Sequence, residues 1–238
     1  MISMEDPIWY PPLNVIHHAN LLSKSLSLKE QKSKRFRKVI EAYTVAQMLA
    51  GITTKENKDY WMQIVDDKSG SPDIRTIRVI DSSNEKFDLL EQIDVEVVEY
   101  ESHSQISIPE FIVEKKLSKY KSYDENTIIL CHIGYGVKSI LPNGKTIKKI
   151  MGAMNSSCNV LLIAGSNSIG EEVNLISLKP NVGIILKYNP IVELLKREKQ
   201  KVVIFKLGTK RRPIYNPDNK HYPFEKLGYI PNNNGLYD

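Results

Sequence analysis

Residues 60–101 read YWMQIVDD, then KSGSPDIRTIRVIDSSNEKFDLLEQ, then IDVEVVEYE, and this stretch decides the fold. Its three runs predict three successive strands. The first is aromatic and branched, the second opens on Ser71-Pro72-Asp73, and the third, 93–100, is apolar apart from Asp94, Glu96 and Glu99. Carboxylates inside a strand that should be buried are an anomaly. An unpaired ionised carboxylate in a core costs several kcal/mol and needs a cation, and a metal ion is the cation that two or three carboxylates share most readily.

Working outward, the residues before this stretch predict a helix over about 29–50, ended by Gly51. Glu41 shares its side with Val45 and Met48 at the edge of the apolar face, where Arg37 or Lys38 is a ready ion-pair partner. The first 28 residues carry Pro7, Trp9, Tyr10, Pro11 and Pro12 and are expected to pack as an irregular strap, with His17 and His18 in a polar arm. After the three strands, Pro109 opens an amphipathic helix, IPEFIVEKKLSKY. The run TIILCHI, 127–133, is continuously apolar and follows that crossover, so it should lie parallel to an earlier strand. The alternation continues with a helix at 146–154, strands at 159–164, 173–178 and 182–188, a helix at 190–199 and a strand at 201–207. The class is α/β, with a mixed central sheet flanked by helices, in one domain: an arm (1–28), a core (29–135) and a C-terminal extension of the sheet with a basic tail (136–238).

The order helix, three strands, helix, strand, with Glu41 on the first helix, Pro72-Asp73 at the head of the second strand and Glu96 in VEVV on the third, resembles the PD-(D/E)xK superfamily of metal-dependent nucleases, which includes many restriction endonucleases. The resemblance covers residues 36–133, and element order carries it more than the letters do. It implies a restriction-endonuclease-like core, phosphodiester hydrolysis with DNA as the expected substrate, and Mg²⁺ or Mn²⁺ as cofactor. Asp73 and Glu96 would hold the ion with the main-chain carbonyl of Val97, and Glu41 would bind a second ion or position water. The sequence departs from the family where it matters. Two residues after Glu96, where the family has the lysine that orients or activates the attacking water, stands Val98. Lys116 or Lys115 from the next helix is expected to reach the same place, and Lys116 is preferred because Phe111 and Leu117 lie near it on the inner side. The acidic pair Glu99 and Glu101 has similar spacing, but Glu99 follows the opposite strand face from Glu96.

The charge pattern bears on partners. With 33 Lys and Arg against 28 Asp and Glu the net charge is only +5, yet the cations cluster: one run from Lys29 to Lys38, with Lys34, Arg35 and Arg37, and a tail from Lys196 in which Lys210, Arg211, Arg212, Lys220 and Lys226 are interleaved with Tyr215, Tyr222, Phe224 and Tyr229. These are expected to meet phosphates, with the aromatics stacking on bases. DNA is the expected partner, with the chain alone or as a homodimer. Apolar content of 41% fits a protein that builds its own core. No run has the length of a membrane span, and MISMEDPIWYPP lacks the basic start and apolar segment of a signal peptide, so a cytoplasmic location is expected. Cys131 and Cys158 have no metal-ligand spacing and read as reduced core residues. Two other functions stay open: a nucleic-acid-binding or interaction protein that keeps the fold without cleavage, and a Rossmann-like nucleotide module around the loop GSNSIGEE at 165–172.

Overall fold

The three runs that decided the reading form an antiparallel ladder in the computed structural model, which describes residues 8–65, 72–81, 89–100, 105–118, 123–133, 137–154, 156–165, 172–196, 203–204, 214–215, 222–232 and 237. The chain begins with β1 (Ile8–Trp9), α1 (Pro12–Ser25), α2 (Leu28–Gln31) and α3 (Lys34–Glu56). The ladder is β2 (Tyr60–Ile64), β3 (Ile74–Asp81) and β4 (Leu89–Tyr100). Next come α4 (Ile108–Ile112), a π-helical turn (Val113–Leu117), β5 (Thr127–Ile133), α5 (Gly144–Gly152) and β6 (Asn159–Gly165). The remainder is β7 (Val173–Lys179), β8 (Gly183–Tyr188), α6 (Pro190–Leu195), β9 (Val203–Ile204), β10 (Ile214–Tyr215) and a 3₁₀ turn (Glu225–Leu227).

Strands β2 to β8 form one seven-stranded sheet in sequence order. Its middle is parallel, β4 with β5 and β5 with β6, and its two flanks are antiparallel. The expected mixed sheet is present. The parallel register follows from the helical crossover between β4 and β5 and from a β5 sequence buried at every position. A second, three-stranded sheet joins β1, β9 and β10.

Strand alternation divides the interior in two. Val95 and Val97 of β4 and Leu130 of β5 pack under α3 with Val39, Ala42, Val45 and Leu49. Val98, Tyr100, Ile129 and Cys131 point to the other face and pack under α4, the π turn and α5 with Phe111, Ile112, Leu117 and Ile147. Each fully buried aliphatic or aromatic side chain contributes roughly 1.5–3 kcal/mol, so both layers hold the sheet firmly. Cys131 and Cys158 are buried and unbridged, and burial pushes the Cys131 thiol up from its ordinary pKa.

Three expectations change. The arm is a helix from Pro12, because Pro11 and Pro12 stand at its N-cap and first positions, where a missing N–H costs nothing; Val15, Ile16, Ala19 and Leu22 then bury one stripe. His18 on this helix is buried and bonded to the Tyr237 hydroxyl at 3.0 Å, so it is no member of a polar arm. Gly51 does not end its helix: α3 runs on to Asn57, whose φ of 54° supplies the left-handed stop. Gly51 is required there by a close approach, since a Cβ would lie 2.6 Å from the Tyr188 ring. The segment before Lys34 is the separate short helix α2, because Ser33 takes the N-cap of α3 with its hydroxyl on the Phe36 N–H. Of the strand expected at 201–207 only β9 lies within the described residues, and α6 is described to Leu195. No helix among the described residues is long and apolar enough to cross a membrane.

Candidate active site

The site begins where β3 begins. Ile74 pairs with Val95, and before it stands the buried Pro72, which has no N–H to extend the ladder. The edge of β4 beyond Val95 is therefore left without a β3 partner, and Asp73 folds over it: its Oδ2 accepts from the Val97 N–H at 2.9 Å. In an extended strand the N–H and C=O of one residue point to the same edge, so the Val97 carbonyl faces the same gap.

Cations approach Asp73 from both faces of the sheet. From α3, Lys38 Nζ donates to Asp73 Oδ1 at 2.7 Å and stands 3.1 Å from Glu41 Oε2. From the π turn, Lys116 Nζ lies 3.5 Å from Asp73 Oδ2 and donates to Glu96 Oε2 at 2.7 Å. The result is a chain of alternating charges: Glu41, Lys38, Asp73, Lys116, Glu96. All five side chains are largely withdrawn from water, Glu96 most of all at 4% exposure. Glu41 carries the electrostatic load: burial, and then the neighbouring Asp73 carboxylate, raise its pKa above the ordinary glutamate value despite Lys38. Its Oε2 is buried without a well-formed hydrogen bond.

The local helix geometry explains why Lys116, not Lys115, reaches Glu96. A capping box starts α4, with Glu110 Oε2 accepting from the Ser107 N–H at 3.0 Å and hydroxyl at 2.6 Å. The following turn is wider than an α turn, and Ser118 N–H bonds the Val113 carbonyl five residues back at 2.8 Å. Residues five apart then share a side, as Ile112 and Leu117 do, both buried. Lys115 lines the cavity over Asp73 as well, its ammonium 5.4 Å from the centre of the Phe111 ring. Val98, two residues after Glu96, is a core residue on the same face.

The remaining candidates separate. Glu99 is exposed on the α3 face, opposite Glu96, as alternation requires. Arg37 lines the cavity of about 380 Å³ that opens over Asp73, together with Lys34, Lys38, Glu41 and Lys116. Arg35 instead lies over the Tyr229 ring, 3.9 Å from its centre, tying the C-terminal segment to α3. Lys210, Arg211 and Arg212 lie outside the described residues, as do Glu101 and His103. The loop of 165–172 falls largely outside them too; the next described element after β6 is its antiparallel neighbour β7. His132 is buried in β5. The residue that sequence reasoning undervalued is Lys38, seen as a partner for Glu41 and as one cation of the basic run but not as a partner of Asp73. Its signal was a lysine set among the core positions Phe36, Val39 and Ala42 of the same helix.

The donor set can be tested against a hard divalent cation. Among the described residues no group of three or more Asp, Glu, His or Cys side chains converges to hold a metal ion, because lysines stand between the carboxylates. Mg²⁺ needs no such cage; it binds through one or two carboxylates, a carbonyl and waters. The Lys116 ammonium already stands as a cation within 4 Å of both Asp73 and Glu96, beside the Val97 carbonyl edge, and the donors are all oxygen. The residues fit Mg²⁺ at Asp73 and Glu96. Glu41 is set apart on the far side of Lys38. Comparison with family models, curated proteins and solved structures finds no match for this chain.

Proposed function

We propose that the chain is a metal-dependent nuclease of the PD-(D/E)xK kind, cleaving DNA phosphodiesters at Asp73, Glu96 and Lys116. One observation carries the reading: the Lys116 ammonium is bonded to Glu96 at 2.7 Å and lies 3.5 Å from Asp73, so a lysine from the next helix stands at the carboxylate pair whose own strand lacks one. Asp73, Glu96 and the Val97 carbonyl would hold Mg²⁺ or Mn²⁺. When bound, the ion neutralises charge on the phosphate oxygens and lowers the pKa of a water to nucleophilic range.

The chain's own residues supply orientation. Val97 N–H and Lys38 fix the two oxygens of Asp73. Lys116, held within 4 Å of both Asp73 and Glu96, would orient the attacking water or stabilise charge on a phosphate oxygen. Glu41, with its raised pKa, is suited to accept and return a proton through water rather than to hold a second ion behind Lys38. Arg37 and Lys34 on the cavity rim would meet the flanking phosphates.

The test is cleavage of plasmid and of single- and double-stranded oligonucleotides in Mg²⁺ or Mn²⁺ with a chelator control. Asp73→Ala and Glu96→Ala should each lower the rate at least about a hundredfold, since each removes a ligand of the charge-stabilising centre. Unchanged cleavage in both variants would refute the assignment. A second reading is favoured by the closed chain of ion pairs, which compensates the carboxylates without a metal: a protein that binds DNA in the same cleft and does not cut it. DNA retained without cleavage in either metal would select it.

A further inference from the structure

We infer that the larger cavity beside the carboxylates is a nucleobase subsite, which takes one unpaired guanine of a strand whose phosphate rests on Lys34 and Arg37. This rests on the nuclease reading for the path of the strand, but the subsite has its own grounds. The cavity, of about 790 Å³, shares Lys34, Arg37 and Glu99 with the smaller one over Asp73, so the two form a continuous trench. Its size lies in the range of nucleotide and small-ligand pockets. Its apolar wall is Phe36, Ile40 and Tyr43, with Phe36 and Tyr43 buried in the core behind.

The charges in the trench are mixed, and this selects the ligand. Lys32, Lys34 and Arg37 are exposed cations, whereas Glu99 is an exposed carboxylate with no ion pair among the described residues. A simple anion would meet Glu99, and a simple cation would meet Lys34 and Arg37. A ligand with a phosphate at one end and N–H donors at the other satisfies both. A nucleotide is such a ligand, and among the bases guanine presents two adjacent donors, N1–H and the N2 amino group, on its Watson–Crick edge. A carboxylate can accept from both. Adenine and cytosine set an acceptor nitrogen beside their amino group, and thymine flanks its one N–H with carbonyls. The Watson–Crick edge is presented only when the base is unpaired or extruded.

Fluorescence anisotropy tests this with dye-labelled pentamers of thymidylate whose central base is G, A, C or T, in EDTA so that nothing is cut. The G pentamer should bind about tenfold tighter than the other three, within what a bidentate base contact supplies. Glu99→Gln should erase that preference, and Arg37→Ala should weaken all four alike. Four equal affinities for the unaltered protein, or a preference that survives Glu99→Gln, would overturn the subsite. Free dGMP binding as tightly as the G pentamer would overturn its assignment to a strand. Plasmid cleavage measured alongside separates the two claims: cutting without guanine preference removes the subsite alone, and guanine preference without cutting removes the nuclease reading alone.

Discussion

Replacing Lys116 with methionine keeps the length of the side chain and removes the charge that lies between Glu96 and Asp73. Glu96 is only 4% exposed, so its carboxylate cannot be rescued by water. Breaking a buried ion pair from one side costs about 3–5 kcal/mol. Lys116 itself keeps some exposure, and Asp73 retains Lys38 and the Val97 N–H, which places the loss at the low end, about 3 kcal/mol. For a chain of this size each kcal/mol moves the midpoint of thermal unfolding by roughly 2–4 °C, so Lys116→Met should melt about 6–12 °C lower in EDTA. Lys115→Met, one residue away with its ammonium over the Phe111 ring, should lose less, about 1 kcal/mol. Circular dichroism melts measure both. Millimolar Mg²⁺ should restore part of the lost stability in Lys116→Met, because the ion takes the vacated charge, and Glu96→Gln combined with Lys116→Met should lose less than the two singles together. Equal losses for Lys115→Met and Lys116→Met would refute the reasoning.

Other outcomes follow from the packing and the charges. Gly51→Ala forces a methyl against the Tyr188 ring, whose hydroxyl is anchored on the Gln47 carbonyl at 2.7 Å, and should cost about 1–3 kcal/mol in urea unfolding. Burial, and then the neighbouring His17, lower the pKa of His18 from 6.5 to about 4. Between those values the unfolded chain takes up a proton that the folded chain refuses, so stability should fall by up to about 3 kcal/mol as the pH drops through that window; His18→Gln should flatten the dependence. Alanines at Lys210, Arg211 and Arg212 should weaken DNA binding and flatten its salt dependence by roughly 0.9 in log–log slope for each phosphate left without its cation. An unchanged slope would return attention to Lys34 and Arg37.

Period and composition carried most of the fold. The alternation in VEVVEY divides β4 between two cores, and the unbroken apolar run of TIILCHI could only be a strand covered on both faces. The N-terminal helix was hidden because proline discourages helix everywhere except at its first turn, which is where Pro11 and Pro12 stand. Gly51 misled because the side chain that requires it, Tyr188, is 137 positions away in sequence. At the site, Asp73, Glu96 and Glu41 stand out as letters, but what joins them does not. The bond from Val97 N–H to Asp73 depends on β3 stopping early, and the place of Lys38 depends on how α3 lies across the sheet. Neither has a local signature. The choice between Lys115 and Lys116 had one, a spacing of five between Ile112 and Leu117, legible only if a π turn is allowed as an alternative to α.

That turn makes the site sensitive to chain length in a way that composition alone does not suggest. A π turn holds one residue more than the α turn it replaces, and successive residues of an α-helix project about 100° apart around the axis. Loss of any single residue from 113–115 would let the turn close as α with the former Leu117 four residues after Ile112, the spacing at which α-helical residues share a side, so the lysine before it would keep facing Glu96. A one-codon deletion there would be absorbed, whereas one added residue would swing the lysine by about 100° and disarm the protein as surely as mutating it. Among descendants of such a chain, an intact Asp73, Glu96 and lysine would not by themselves identify a working copy; the leucine after the lysine would have to stand four or five residues beyond Ile112 as well.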